Sequence, residues 1–407
     1  MDRARPKACP FESKKQPMNA DAQLKPPASG VDHLAPVFAQ YPVDVVSGEG
    51  VWLLTRGGER VLDLYGGHAV AALGYAHPGW TRALTEQAKS CNFQSNAVPM
   101  DVRKRAADRL TAFAGGGFDR VFFVNSGAEA NENAMKMAFR IHPKRTHVAA
   151  LEYSFHGRTA AAGALTWGAA QKWYALPRTP FDVSFMPRKD IDAIAKHVTE
   201  NTAAVIVEPV QGLAGAFDFG KEYLAALRKR CDETGALLIF DEVQCGTGRV
   251  GQPFAANLYN VKPDMITAAK ALGNGFPCAA LLTSPKVSAA IKLDSLGTTY
   301  GGGPMACAAI EACIEAIESQ HLLANVRKVS DYIRKTCIVG PVTGVQGEGF
   351  LLGLRTTKPA KEIHAQLLEV GILAGTSTDP NILRLLPPFI LEEQHVDMLV
   401  DALSHLP

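Results

Sequence analysis

The stretch LLIFDEVQCGTGRVGQPFAANLYNVKPDMITAAKALGNGF, residues 237–276, predicts a crevice at one edge of a parallel sheet. It opens with the apolar run 237–240, which is typical of a buried parallel strand and ends on an acidic pair that begins with Asp241. A second short apolar segment, 265–269, leads to a single lysine, Lys270, in a glycine-rich turn. Because strand ends of an open α/β sheet meet at one crevice, we expect the acid and the lysine to face the same space.

Lys270 differs from an ordinary surface lysine, because its neighbours in sequence are alanines, a leucine and a glycine, with no carboxylate close by. An amine in an apolar pocket has a lowered pKa and is partly uncharged at neutral pH. Taken alone, an acid at a strand end is common in proteins, and a lone lysine is usually a solvated surface residue. Together, such an amine and a carboxylate able to hold a protonated ring nitrogen match what pyridoxal 5'-phosphate (PLP) requires.

The composition indicates a globular protein with more than one core. The chain has 407 residues, of which 47% are hydrophobic and 20% are charged, and its net charge of +2 argues against nucleic acid or an anionic membrane as a partner. No apolar run is long enough to span a membrane. Eight scattered cysteines without a CxxC pair predict reduced core residues of a cytoplasmic protein, and no metal-ligand spacing is present.

Strand and helix patterns divide the chain into three parts. Residues 1–36 are polar and proline-rich, which favours a disordered or extended arm over a signal or transit peptide. Residues 37–75 and 320–407 are predicted to form a small α+β domain. Residues 76–319 are predicted to form a large α/β domain with a mostly parallel, doubly wound sheet. Its predicted strands are 120–125, 147–151, 183–186, 203–208, 237–241, 265–268 and 279–283.

Two glycine-rich turns are candidates for phosphate binding. In VNSGAEANENAMKMAFR, residues 124–140, a strand passes through Ser126, Gly127 and Ala128 directly into a helix, whose N-terminal amides suit an anion. A simple capping box formed by the serine and a glutamate three residues later is the alternative. In LGTTYGGGPMACAA, Thr298 and Thr299 precede three glycines and could bind phosphate, although the same pattern also suits a linker turn.

The segment SFHGRTAAAGALT, residues 154–166, follows a predicted strand. Phe155 could cover the face of a planar cofactor, and Arg158 could bind a substrate carboxylate. A core phenylalanine and a surface arginine are the alternatives. His156 is interpreted as a structural hydrogen-bonding residue rather than a catalytic one.

Two more charged residues lie in apolar surroundings. Glu208, in VIVEPVQGLAG, could tune the site or pair with a base. Arg384, inside the apolar segment NILRLLPPF, needs an anion, because an unpaired buried charge is costly. That anion would be either an acid of the protein or a carboxylate of the substrate.

In this order and spacing, the motifs SGAEANE, FHGRT, EPVQG, IFDEVQCGTGR, AKALGNGFP, TTYGGGP and ILRLLPP resemble the class III (subgroup II) PLP-dependent aminotransferases, in the acetylornithine aminotransferase branch. The resemblance extends from about residue 38 to the end of the chain. It implies the fold-type I PLP-dependent transferase architecture and a homodimer whose active sites lie at the subunit interface.

The resemblance also implies roles for individual residues. Lys270 would form the Schiff base with PLP, and Asp241 would hold the pyridine nitrogen. Phe155 and Val243 would contact the two faces of the cofactor ring, and Gln244 would contact its 3-hydroxyl. The amides of Gly127 and Ala128 would bind the phosphate. Thr299 would bind the phosphate of the neighbouring subunit, with Thr298 beside that site. For the substrates, it implies that Arg158 holds the α-carboxylate and Arg384 a carboxylate of 2-oxoglutarate or glutamate.

The implied reaction moves the terminal amine of N-acetylornithine, or of a similar acylated basic amino acid, to 2-oxoglutarate in arginine biosynthesis. Three positions depart from the family pattern. Leu213 replaces an acid that in many relatives pairs with the arginine matching Arg384, and Leu296 and Gly303 replace the usual histidine and asparagine. These changes leave open other ω-aminotransferase substrates, namely 4-aminobutyrate, ornithine, succinylornithine or a carrier-linked lysine. A PLP-dependent decarboxylase or aminomutase is a further alternative.

Overall fold

A computed structural model describes residues 33–406 of the chain. Most of the predicted N-terminal arm, residues 1–36, therefore lies outside the described residues. From residue 33 to residue 406, no helix is both long and apolar enough to cross a membrane. The cysteines in this part of the chain are all unpaired thiols.

A seven-stranded sheet forms the centre of the molecule. In chain order its strands are Arg120–Val124, His147–Leu151, Asp182–Met186, Thr202–Val207, Leu237–Asp241, Met265–Ala268 and Ala279–Thr283. Across the sheet, the first strand lies at one edge and is followed by the seventh, sixth, fifth, fourth, second and third. The predicted α/β architecture with a mostly parallel sheet is confirmed.

Both faces of this sheet are covered by other elements. Leu238 and Phe240 pack into one hydrophobic cluster, whereas Leu237 and Ile239 pack into another. Since successive side chains of a strand point to opposite faces, a strand buried on both sides is apolar at every position. The helices of this region are Pro78–Ser90, Asp101–Phe113, Gly127–Ile141, Ala160–Ala164, Ala169–Lys172, Ile191–His197, Gly220–Thr234, Ala255–Tyr259, Pro285–Ser288 and Pro304–Ser319.

One strand of the sheet runs against the others. Ala279–Thr283 is antiparallel to both of its neighbours, whereas the other neighbouring pairs are parallel. The connection that leads into it, residues 269–278, contains only the 3₁₀ turn Lys270–Gly273. A parallel return needs a crossover of roughly a dozen residues or more. The short connection therefore enforces the antiparallel direction and keeps Lys270 at the strand end.

Two further four-stranded sheets are built from the chain ends. The N-terminal strands Val45–Glu49, Trp52–Thr55 and Arg60–Asp63 form an antiparallel meander, and Ile372–Leu373 joins the last of them in parallel. The other sheet contains Val342–Glu348, Leu351–Thr356, Ile382–Leu385 and Gly375–Thr376. A two-stranded sheet pairs Val210–Gln211 with Phe217–Asp218, and the C-terminal helices are Leu322–Thr336, Ala360–Glu369 and Glu393–Ser404. The shared sheet supports grouping residues 37–75 with 320–407, and the domain boundaries stay a prediction.

Residues Gly66–Ala69 form a turn with left-handed backbone conformation, and its non-glycine residues include His68 with φ of 65°. Such a conformation costs roughly 1–2 kcal/mol for each L-residue with a side chain. The turn is fixed from both ends. The Asp63 carboxylate accepts the amides of Tyr65 at 2.8 Å and Gly66 at 2.9 Å, and Arg249 donates to the carbonyl of Ala69 at 3.2 Å.

Candidate active site

A cavity of about 440 Å³ lies at the carboxyl ends of the parallel strands. Ten of the predicted site residues line it: Ser126, Gly127, Ala128, Phe155, Arg158, Glu208, Asp241, Val243, Gln244 and Lys270. Three others, Thr298, Thr299 and Arg384, do not form part of its wall.

Asp241 is buried at the end of its strand and accepts three hydrogen bonds. Nδ1 of His156 and the side-chain amide of Asn131 donate to Oδ2 at 2.7 and 2.8 Å, and the backbone N–H of Val243 donates to Oδ1 at 3.1 Å. The hydroxyl of Thr267 donates to Oδ1 of Asn131 at 2.8 Å and fixes the orientation of that amide. The carboxylate is therefore held in one position, and His156 makes the kind of hydrogen bond expected from the sequence.

The ε-amine of Lys270 lines the same cavity and has no hydrogen bond or ion pair with any residue between 33 and 406. Burial lowers the pKa of Lys270 below its usual range; the charges of Asp241 and Glu208 oppose this shift, and that of Arg384 adds to it. The backbone of Lys270 is left-handed, with φ of 48°, a conformation that costs roughly 1–3 kcal/mol and tends to occur at functional sites. The lowered pKa favours the uncharged form of this amine, which is the form that a nucleophile needs.

Glu208 is the second buried acid of the cavity. Burial raises its pKa to about 7, with His156 opposing the shift and Asp241 increasing it. Its carboxylate accepts the backbone N–H groups of Phe155 at 2.8 Å and Gly212 at 3.4 Å. Glu208 therefore fixes the loop that brings Phe155 to the cavity wall, and it forms no ion pair with a base within the described part of the chain.

The helix Gly127–Ile141 begins at the cavity. Ser126 and Glu129 form the capping box: the serine hydroxyl accepts the N–H of Glu129 at 3.2 Å, and the glutamate accepts the N–H of Ser126 at 2.9 Å. The amides of Gly127 and Ala128 have no hydrogen-bond acceptor among the described residues, and both residues line the cavity. The capping box therefore leaves these two amides available for an anion.

Gln244 is held beside a glycine that leaves room for it. Its side-chain amide donates to the carbonyl of His68 at 3.4 Å. A Cβ on Gly212 would lie only 1.5 Å from Oε1 of Gln244, so a larger residue at position 212 would displace the glutamine from the wall.

Thr298 and Thr299 lie in a turn outside the cavity. The hydroxyl of Thr298 accepts the N–H of Gly301 at 3.1 Å, and Asn96 donates to the carbonyl of Gly301 at 2.9 Å. Thr299 is exposed. Among the described residues of one chain, the turn before the helix Pro304–Ser319 therefore makes no hydrogen bond to the amides at the start of Gly127–Ile141.

Arg384 is buried, with 2% of its surface exposed, and burial lowers its pKa. Nε donates to the carbonyl of Thr376 at 2.6 Å, and Nη1 donates to the carbonyl of Gly212 at 3.2 Å. No carboxylate of residues 33–406 forms an ion pair with it. The sequence left two candidate anions for Arg384, an acid of the protein or a carboxylate of the substrate, and the described chain provides no such acid. Leu213, which follows Gly212 in the chain, is apolar and lines the cavity.

Tyr65 and His68 were not identified from the sequence as candidate site residues. The two side chains are hydrogen-bonded to each other, and burial together with the charges of Arg384 and Lys270 lowers the pKa of His68 to about 4. The imidazole of His68 is thus neutral at neutral pH. The left-handed conformation of the turn that contains His68 depends on tertiary contacts, which a sequence pattern does not show.

The residues of this cavity fit PLP. A fixed carboxylate suits a protonated ring nitrogen, Phe155 and Val243 offer apolar contact for a flat ring, and the free amides of Gly127 and Ala128 suit a phosphate. With the desolvated Lys270, this arrangement and the α/β fold define a PLP-dependent enzyme of fold type I. The chain belongs to the aminotransferase class-III family, which matches residues 35–406, and it is a PLP-dependent aminotransferase.

Relatives of known sequence and structure agree with this family. The chain is 38% identical over 390 residues to acetylornithine aminotransferase 1 of Bradyrhizobium diazoefficiens, covering 92% of this chain and 95% of that protein. It is 35% identical over 385 residues to acetylornithine aminotransferase of Methanocaldococcus jannaschii, covering 91% and 94%. Among solved structures, ornithine aminotransferase from Toxoplasma gondii has a TM-score of 0.86 at 25% identity over 91% of both chains. Acetylornithine aminotransferase from Elizabethkingia anophelis has a TM-score of 0.81 at 29% identity over 91% of this chain and 95% of that one.

Proposed function

We propose that this enzyme transfers the terminal amine of N-acetylornithine, or of a similar acylated basic amino acid, to 2-oxoglutarate, which gives the semialdehyde and glutamate. The observation that carries the transfer chemistry is a single cavity lined by both Lys270 and the immobilised Asp241. The choice of amine is supported by similarity over about nine-tenths of the chain to proteins named acetylornithine aminotransferase. A place in arginine biosynthesis follows from that choice.

Lys270 and Asp241 have different roles in the proposed reaction. When bound, PLP condenses with an amino group and accepts the electrons left on the neighbouring carbon after a proton is removed. Nζ of Lys270 would remove that proton, and the burial that lowers its pKa favours the uncharged amine that this requires. Asp241 would keep a proton on the ring nitrogen, and the hydrogen bonds from His156 and Asn131 fix the orientation of its carboxylate.

The remaining cofactor contacts follow from the cavity wall. Ser126, Gly127 and Ala128 would hold the phosphate at the helix N-terminus, where backbone amides and the helix dipole favour an anion. Phe155 and Val243 would contact the ring faces, and Gln244 would contact the ring hydroxyl.

Arg158 and Arg384 suit the two carboxylates of 2-oxoglutarate, because a guanidinium can pair with a carboxylate through two parallel hydrogen bonds. Arg158 lines the cavity and has no hydrogen-bonded or ionic partner in the described chain. Within the described part of the chain, the guanidinium of Arg384 donates hydrogen bonds to two backbone carbonyls and to no side chain. A substrate carboxylate would therefore neutralise a buried cation, Arg384, that residues 33–406 leave without a counter-ion. Glu208 shapes the same region by holding Phe155.

We infer that two copies of the chain form a homodimer with shared active sites. The exposed Thr299 lies outside the cavity of its own chain, and its neighbour Tyr300 is 68% exposed. A second copy would bring Thr299 to the phosphate end of the cavity, with Thr298 beside it. A cytoplasmic location stays a prediction from the sequence.

A second candidate is another ω-aminotransferase, acting on ornithine, 4-aminobutyrate, succinylornithine or a carrier-linked lysine. Leu213 at the cavity and the structural similarity to ornithine aminotransferase from Toxoplasma gondii favour keeping this candidate. A decarboxylase or aminomutase would act without an oxo-acid acceptor.

A panel of amine donors tests the proposal. Each donor is offered to the purified holoenzyme with 2-oxoglutarate, and the formation of glutamate and the change in visible absorbance of the cofactor are followed together. N-acetylornithine should give the highest kcat/KM. A higher value for ornithine or 4-aminobutyrate would replace it as the substrate, and release of carbon dioxide, or turnover without 2-oxoglutarate, would contradict transamination.

A further inference from the structure

The guanidinium of Arg158 is held by aromatic rings rather than by hydrogen bonds. Its central carbon lies 4.6 Å from the centre of the Trp173 ring and 6.0 Å from that of Phe155. The side chain is exposed, and it has no hydrogen bond or salt bridge to any residue of the described chain. A guanidinium stacked on a ring face keeps its N–H groups free at the edge of its plane. Those groups are the ones that a carboxylate needs.

Contacts of the neighbouring backbone and of Tyr174 fix the position of Trp173. The neighbouring Tyr174 donates through its hydroxyl to the carbonyl of Ala160 at 2.8 Å, and the N–H of Trp173 bonds to the carbonyl of Ala169 at 2.9 Å. Gly163, in the short helix Ala160–Ala164, provides the space for both rings. A Cβ there would lie 2.9 Å from the ring of Tyr174 and 3.4 Å from that of Trp173. The indole is therefore a fixed surface, whereas a free arginine has several rotatable bonds.

We propose that Trp173 is a positioning residue that holds Arg158 in the orientation in which it receives the substrate carboxylate. This inference rests on the proposed role of Arg158 in binding that carboxylate. Trp173 does not line the cavity and does not touch the reacting atoms. Its contribution is to remove, before the substrate arrives, side-chain freedom that would otherwise be lost on binding. Its effect is thus confined to ligands that carry a carboxylate for Arg158.

Two substitutions separate this role from ordinary packing. Trp173→Ala removes the ring, whereas Trp173→Phe keeps an aromatic face. The Kd of the holoenzyme for glutarate, an unreactive dicarboxylate, is measured by calorimetry. The rate constant for amine transfer is measured for N-acetylornithine and for pentylamine, which has no carboxylate. Trp173→Ala should weaken glutarate binding and slow N-acetylornithine by roughly tenfold. It should leave pentylamine within about twofold, and Trp173→Phe should restore most of the loss.

A matched control removes the same kind of contact elsewhere. Arg60 lies 4.4 Å from the ring centre of Trp52 in the N-terminal sheet, and neither residue lines the cavity. Trp52→Ala should therefore leave glutarate binding unchanged. A comparable loss in this variant would show that removal of any such tryptophan perturbs the site and would overturn the inference.

The remaining outcomes distinguish the inference from the function on which it rests. Equal losses for N-acetylornithine and pentylamine in Trp173→Ala would mean a structural role, and unchanged glutarate binding would mean no role; either result overturns the inference. Arg158→Gln tests the underlying assignment. If it weakens glutarate binding while Trp173→Ala does not, only the role of Trp173 fails. If Arg158→Gln has no effect, the carboxylate role of Arg158 fails, and the inference about Trp173 fails with it.

Discussion

At the scale of single residues, the surroundings of Lys270 could be predicted from the sequence better than those of Asp241. The apolar neighbours of Lys270 predicted a desolvated amine, and burial does lower its pKa. The partners of Asp241 are distant in the chain: Asn131 is separated from it by 110 positions and His156 by 85. Local patterns do not show such contacts, because they are created when strands from different parts of the chain become neighbours.

Replacing Asp241 by asparagine should reduce kcat strongly while PLP still binds. An ion pair at about 4 Å with an effective dielectric near 20 is worth about 4 kcal/mol, or roughly three pKa units of the group it holds. We therefore expect kcat to fall by roughly 100- to 1000-fold. Steady-state kinetics together with cofactor content, read from absorbance after denaturation, check this. A variant within tenfold of wild type would contradict the role given to Asp241.

Glu242, the next residue, should affect stability rather than catalysis. It is fully buried, accepts the amide of Ala256 at 2.9 Å and that of Ala255, and lies outside the cavity wall. Burial raises its pKa from 4.5 to about 8, outweighing these hydrogen bonds. Between these two pH values the folded state keeps a proton that the unfolded chain releases. The free energy of unfolding therefore falls as pH rises through this range, by up to about 1.4 kcal/mol per pH unit for the single carboxyl of Glu242.

Glu242→Gln cannot release that proton, so its Tm relative to wild type should rise steadily from pH 5 to pH 8, with kcat within about threefold. Thermal unfolding of both proteins across this range gives the comparison. Parallel Tm curves would show that Glu242 is ionised in the folded protein throughout.

At the scale of helices and strands, the apolar runs predicted the seven strands of the central sheet, and the glycine turns predicted where helices begin. Two features did not follow from the pattern. The strand Ala279–Thr283 is antiparallel because the connection before it is short. The turn Gly66–Ala69 is left-handed because Asp63 and Arg249 hold its ends. Both depend on how elements meet in space, whereas hydrophobic periodicity reports only which faces are buried.

The first residue of the helix at the cavity, Gly127, packs too closely against Val243 to accept a side chain without movement. A Cβ on Gly127 would lie 2.7 Å from both methyl groups of Val243. Gly127→Ala should therefore move the amides of Gly127 and Ala128 and weaken PLP binding by roughly tenfold or more, the loss of one or two charge-assisted hydrogen bonds. Titration of the apoenzyme with PLP measures this Kd.

The matched control is Gly344→Ala in the strand Val342–Glu348, where a Cβ would make only ordinary contact, at 3.8 Å, with Arg355. Its Kd for PLP should equal that of wild type. If Gly127→Ala also binds PLP normally, the phosphate does not lie at this helix terminus.

At the scale of the whole molecule, the two ends of the chain share a sheet, and the predicted phosphate turn stays outside the cavity of its own chain. The family resemblance predicted a second subunit, whereas residue patterns alone did not indicate which turn would cross to it. Thr299 is exposed and separate from the helix N-terminus that it is proposed to complement. The proposed homodimer would therefore complete the site.

Subunit complementation tests this arrangement. Lys270→Ala and Thr299→Ala chains, each inactive or nearly so alone, are coexpressed in equal amounts. Mixed dimers contain one site with an intact Lys270 from one chain and an intact Thr299 from the other. Random pairing should restore about a quarter of the wild-type activity, because half of the dimers are mixed and each keeps one of two sites. Activity no higher than the sum of the parents would place Thr299 in the site of its own chain.

The central claim is that Lys270 is the amine that binds PLP covalently. Reduction of the holoenzyme with borohydride, followed by digestion and mass spectrometry, tests it most directly. The account predicts a pyridoxyl phosphate adduct on the peptide that contains Lys270 and no adduct in Lys270→Ala. An adduct on a different lysine of the wild-type enzyme, or covalent attachment that persists in Lys270→Ala, would contradict it.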